Sequence, residues 1–295
     1  MIFDQKETTS VRGMAILMIA IFHLFIAWEW PRVVNLPGSV GVAAFLFLSG
    51  YGINESYKKT GLKEYWRKKL RRVMIPFWLF VTILFFFKQT SNWHDYLLEV
   101  AFIKSDYWFI PYLVWCYLLY WIVQRFFSHW LILLFIVAGI IGLNLLYQIA
   151  AEQSFSFFAG VMASRNINKI RQMSERKLYQ ISGCLLATGI TFLLIKEIPE
   201  VHNFKGTFIY NYLLLPIKLS LGILMALLPS LWKWMTKSSF LYLCGISSLE
   251  MYLVHMTFVN STSTSWQDIL TFIGITTIGT WIFYQVNHRI IKKWI

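Results

Sequence analysis

The sequence predicts an all-α, polytopic membrane protein of about ten transmembrane helices with both termini in the cytoplasm. Composition is the first reason: 57% of the 295 residues are hydrophobic and only 14% are charged, whereas a soluble domain carries roughly a quarter charged residues. The second is segmentation, because ten apolar runs can be marked along the chain and a bilayer is crossed by about 20 such residues. The third is charge asymmetry between alternate loops. These observations exclude intrinsic disorder and a large soluble catalytic domain, and they remove nucleic acid as the reason for the net charge of +13.

The runs follow one another with short connections. Segment 13–30 has no small-residue cleavage site behind it, so it reads as a span and not as a cleaved leader. Segment 39–57 contains Ser49-Gly50, a pair small enough for close helix approach. It ends in a loop, 58–72, that holds eight of the basic residues. Segment 73–87 follows, and 92–105 reads as an interfacial piece. Then come 107–127, 131–147 and 154–164, the last short and polar at its flanks. Segments 178–195, 207–228 (which carries Lys218), 240–256 and 269–287 complete the set. Trp28, Trp30, Trp93, Trp108, Trp130 and Trp232 crowd the span ends, as interfacial aromatics do.

With both termini inside, the cytoplasmic segments hold 21 Lys and Arg against 5 in the outer loops. That asymmetry is the expected positive-inside pattern. The basic excess is therefore mostly topology. Cys116, Cys184 and Cys244 lie in apolar runs without paired spacing, so neither a disulfide framework nor a metal site is expected. Asn260-Ser261-Thr262 fits a glycosylation pattern on an outer loop.

Ionisable residues within the apolar runs are the informative exceptions, because burying them in a bilayer is costly. Arg12 and His23 are eleven residues apart, about 20° past three turns and about 16 Å along the axis. A cation at the inner edge and an imidazole at mid-depth thus share one helix face. Lys68, Arg71 and Arg72 share a face that suits phosphates, although basic inner loops also serve topology and anionic lipid. Glu250 and His255 fall in the ninth run. Glu29 lies about 240° around the helix from His23 and does not orient it. There is no phosphate-cradling glycine loop, serine triad or internal repeat.

Four stretches together resemble the acyltransferase-3 family of integral membrane acyltransferases. They are Ser10-Val11-Arg12-Gly13-Met14-Ala15-Ile16-Leu17 with His23, Gly41-Val42-Ala43-Ala44-Phe45-Leu46-Phe47-Leu48-Ser49-Gly50-Tyr51, Lys69-Leu70-Arg71-Arg72-Val73-Met74-Ile75-Pro76, and Ser248-Leu249-Glu250-Met251-Tyr252-Leu253-Val254-His255. Tyr107-Trp108-Phe109 resembles a further aromatic motif. The family's basic motif is arginine, two residues, arginine; here it reads Lys68–Arg71 or Lys69–Arg72.

The resemblance implies one membrane domain over residues 1–295, without the soluble domain that some members append, in a bacterial cytoplasmic membrane. It implies acetyl-CoA as donor, no metal, and a hydroxyl of a cell-envelope or exported glycan, or of a lipid-linked sugar, as acceptor. Catalytic roles fall to His23, Arg12 and Glu250. Donor binding falls to Arg12, Arg67, Lys68, Lys69, Arg71 and Arg72, and substrate contacts to Ser49, Tyr51, Trp108 and His255. The competing expectation is a transporter or flippase for a glycan precursor, which would require no acetyl-CoA.

Overall fold

A computed structural model of the protein describes residues 2–27, 36–87, 92–258 and 265–294. Trp28, Glu29, Trp30 and the Asn260-Ser261-Thr262 pattern lie outside the described residues. Among those described, every regular element is a helix. The helices long and apolar enough to cross a membrane number 8. They are α1 (Gln5–Ala27), α2 (Leu36–Thr60), α3 (Tyr65–Phe87), α5 (Phe109–Phe126), α6 (Leu131–Leu145), α8 (Glu175–Lys196), α9 (Phe208–Leu231) and α12 (Trp266–Trp294). Between them lie α4 (Trp93–Val100), α7 (Ser156–Arg165), α10 (Ser239–Ile246) and α11 (Ser248–Phe258). The expected interfacial piece is α4, capped where the Asn92 side chain accepts from the His94 amide at 3.0 Å.

Two of the ten expected runs do not form single helices of spanning length. Segment 154–164 forms α7, which at 10 residues is about 15 Å long and reaches only half-way across a bilayer. Segment 240–256 is interrupted at Ser247, where α10 ends and α11 begins. The Ser247 hydroxyl donates to the Leu243 carbonyl at 2.9 Å, a local bond that competes with continuation of the helix. Helix α1 also begins earlier than its apolar run. Asp4 caps it by accepting from the Glu7 amide at 2.8 Å, so Arg12 stands about two turns inside the helix.

Helices α1 and α2 form the centre of the bundle. They pack on each other, and α10 and α11 pack on α1 while α7 and α9 pack on α2. The closest approaches are made at glycine. A Cβ on Gly13 would lie 1.9 Å from the Leu241 carbonyl oxygen, and one on Gly245 would lie 2.0 Å from that of Thr9. The α2–α7 crossing repeats this arrangement: a Cβ on Gly50 would meet the Phe157 oxygen at 1.9 Å, and one on Gly160 the Phe47 oxygen at 1.8 Å. Without a hydrophobic force between helices in lipid, such backbone contact supplies the dispersion energy that holds them.

Helix α3 is continuous but contains one π-helical turn, Leu70–Met74. The wider turn shifts the register of the basic residues relative to the span that follows. Tyr65 anchors the start of α3 by donating to the Tyr117 carbonyl of α5 at 2.7 Å.

The glycine crossings predict a sharp difference between positions. Gly50→Ala and Gly160→Ala each push backbone against backbone and lower unfolding stability in detergent by about 1–3 kcal/mol. Gly183→Ala, where nothing lies within 4 Å, leaves it unchanged. Thermal unfolding of the three purified variants checks this.

Candidate active site

A cavity of about 890 Å³ runs between α1, α2, α3, α5, α11 and α12. Its lining follows one stripe of α1: Gln5, Thr9, Arg12, Ile16 and Ile19, spaced three and four residues apart so that all face the same way. At one end stand Arg67, Lys68, Lys69, Arg71 and Arg72. Lys69 and Arg72 lie within electrostatic range of Arg12, and Lys69 Nζ sits 4.4 Å from the Tyr117 ring centroid. Lys68 turns away to donate to Thr60 Oγ1 at 3.1 Å, and Arg67 pairs with Glu64 at 3.3 Å. Among the described residues, Arg12, Lys69 and Arg72 form no ion pair with a carboxylate. Three converging cations left unneutralised repel one another, and an anion between them would remove that repulsion.

Ser49, Glu250, Tyr117 and Asn287 add polar groups to the lining. Asn287 Nδ2 donates to Glu250 Oε1 at 3.0 Å, which fixes both side chains. Ile16, Ile19, Val42, Phe45, Phe109, Ile110 and Leu113 add apolar surface, and Ser56, Glu64, Ser248, Tyr252, Tyr284 and His288 add further polar groups. His23 follows Ile19 by four residues on the same stripe, about 6 Å further along α1.

His23 is half-buried and does not stand alone. Its Nδ1 lies 2.9 Å from Nε2 of His255, the rings nearly parallel with centroids 5.2 Å apart. His255 is fully buried, and its Nδ1 lies 2.8 Å from the Met251 carbonyl oxygen. A carbonyl only accepts, so His255 carries its proton on Nδ1 and, when neutral, offers a lone pair at Nε2. His23 then donates from Nδ1, and its own Nε2 keeps the free lone pair. The pair is a relay of fixed sense that ends in a basic nitrogen on α1.

The sequence-derived candidates divide accordingly. Arg12, Ser49, Glu250 and the basic residues of 67–72 are brought to one cavity. Within the basic motif, Lys69 and Arg72 are the pair that approaches Arg12. His255 is placed on His23. Glu250 is bonded to Asn287, not to the imidazole. Tyr51 stands elsewhere, buried against Phe3 with ring centroids 5.1 Å apart, its hydroxyl donating to the Phe3 carbonyl at 3.4 Å. Trp108 is outside the cavity lining, against Tyr112 and Tyr147. Its neighbour Tyr107 bridges instead to Thr257 of α11, the two hydroxyls 2.7 Å apart.

Asn287, Tyr117 and the His23–His255 pairing are absent from the sequence-derived set. A second imidazole buried in a span signals a partner, because an unpaired polar ring there is costly. The partner's identity is set across 232 positions of sequence, beyond the reach of local spacing. Asn287 near the end of an apolar helix gave no comparable signal.

The chain matches no curated protein and no solved structure. A protein-family model described as an acyltransferase domain, that of the acyltransferase-3 family, matches residues 9–285. The match takes in α1 through most of α12 and therefore every residue of the cavity from Thr9 to Tyr284, as well as the histidine pair. The chain thus belongs to the acyltransferase-3 family, and its helical bundle is that of a membrane acyltransferase.

Proposed function

We propose that the protein transfers an acetyl group from cytoplasmic acetyl-CoA to a hydroxyl of a cell-envelope or exported glycan, in a bacterial inner membrane. The observation that carries this reading is the lining of one cavity along α1: Arg12 with Lys69 and Arg72 beside it, then Ile16 and Ile19, one turn short of His23, with Ser49 and Asn287 among the polar groups on other helices. Acetyl-CoA has a phosphate-bearing head, an amide-bearing arm and a small thioester. In this reading the N-terminus and the basic 58–72 loop lie on the cytoplasmic side, where the donor is found.

Arg12, Lys69 and Arg72 hold the phosphates, and the arm follows the α1 stripe inward. His23 Nε2 takes the proton of the acceptor hydroxyl as its oxygen attacks the thioester carbonyl. The tetrahedral intermediate collapses with cleavage of the carbon–sulfur bond. The proton on His23 then passes to the departing CoA thiolate. His255 keeps the His23 ring turned so that the free nitrogen faces the reaction, and it stabilises the imidazolium that forms transiently. Nothing in this sequence of steps requires a metal.

Radiolabelled acetyl-CoA binding and turnover in nanodiscs tests the reading. Arg12→Ala weakens donor binding about 10- to 100-fold, the worth of a charge-assisted contact. His23→Ala leaves binding near wild type and lowers turnover by at least about 100-fold. Full turnover by His23→Ala contradicts its role as base. Absence of saturable binding by folded wild-type protein at millimolar acetyl-CoA favours a transporter or flippase.

The relay gives a separate expectation. His255→Ala, which removes the acceptor for His23 Nδ1–H, lowers turnover without changing donor affinity. His255→Gln, whose amide oxygen can accept the same bond, retains more activity than His255→Ala. Equal loss in both variants, together with weakened donor binding, contradicts the positioning role.

A further inference from the structure

The cavity contains a polar group that the steps above leave unused. Asn287 of α12 is only 6% exposed, and its Nδ2 is committed to Glu250. Its Oδ1 is buried with no hydrogen-bond partner in the protein, yet the residue lines the cavity. Buried carbonyl oxygens are nearly always paired, so an unpaired one on a residue that lines a cavity points to a ligand that donates to it. Tyr252, two residues along α11 from Glu250, lines the same cavity and is also buried, its hydroxyl beside the Phe109 backbone amide and donating to no side chain.

We propose that Asn287, held by Glu250 and flanked by Tyr252, is the subsite for the amide-bearing arm of the thioester donor. This deepens the acetyl-CoA reading and rests on it. Asn287 Oδ1 accepts from an amide N–H of the arm, and the Tyr252 hydroxyl is available to donate to a carbonyl. A secondary amide is an uncharged group that presents both functions at once. A carboxylate or phosphate at this place would face Glu250 and the Asn287 oxygen, and would be repelled. The chemistry therefore assigns the anionic head to Arg12, Lys69 and Arg72, and the neutral arm to Asn287. Glu250 acquires a role that needs no contact with His23: it fixes the Asn287 amide so that its oxygen, not its nitrogen, faces the ligand.

The test compares two probes on the full-length protein in nanodiscs. Acetyl-CoA carries head and arm; adenosine 3′,5′-bisphosphate carries the phosphate-rich head without the arm. Asn287→Leu, which keeps the volume but removes the acceptor, weakens acetyl-CoA binding about tenfold and leaves bisphosphate binding unchanged. Asn287→Ala shows the same split, and the retained bisphosphate site reports that each variant is folded. Unchanged acetyl-CoA affinity in both variants overturns the assignment. Equal weakening of both probes overturns it as well, since Asn287 then acts on the head or on the fold. Wild-type protein that binds neither probe defeats the donor reading itself, an outcome distinct from failure at Asn287.

Discussion

Backbone contact at glycine is the constraint on which the rest of the structure depends. Arg12 precedes Gly13, and Ser49 precedes Gly50, so each cavity residue sits beside a position where two helices touch without a side chain between them. Successive side chains on a helix point about 100° apart. Locking the glycine against α10 or α7 therefore sets the direction of its neighbour. Gly245 completes the lock on α1 and Gly160 that on α2. The same packing holds α7, too short to span, against the centre of the bundle, and holds α10 where its end at Ser247 releases α11 to run alongside α1.

From that frame the cavity acquires its lining. Helix α1 supplies a continuous stripe from Gln5 to Ile19 with His23 next in line, while the π turn of α3 and the interrupted α10–α11 unit supply the groups opposite. Arg12, Lys69 and Arg72 converge without an ion pair to a carboxylate among the described residues, and the imidazole pair stands one turn beyond Ile19. Separating charge from reacting nitrogen in this way lets a long thin ligand satisfy both. A compact substrate would leave one end unmatched. The proposed donor, a head on an arm, has that shape.

Much of this was legible in the sequence because membrane spans are written in composition. The long apolar helices, the separate short helix α4 and the shared face of Arg12 and His23 follow from hydropathy and helical periodicity alone. The Ser49-Gly50 pair signalled close approach, and Gly50 provides it. The failures have physical causes. Apolar content alone does not distinguish a span from a short helix buried against another, as α7 is. The break at Ser247 depends on one hydroxyl bonding back to Leu243. The start of α1 was hidden by polar residues, although Asp4 followed three positions later by Glu7 has the form of a helix cap. His23–His255 and Glu250–Asn287 join distant parts of the chain, and only the packed bundle reveals them.

The most direct test of the account is a structure of the protein with a non-transferable thioether analogue of acetyl-CoA. The account predicts phosphates against Arg12, Lys69 and Arg72, the arm along the α1 stripe past Asn287, and the acyl end beside Nε2 of His23. Phosphates bound away from those cations, or an acyl end remote from His23 with the analogue fully occupied, would contradict it.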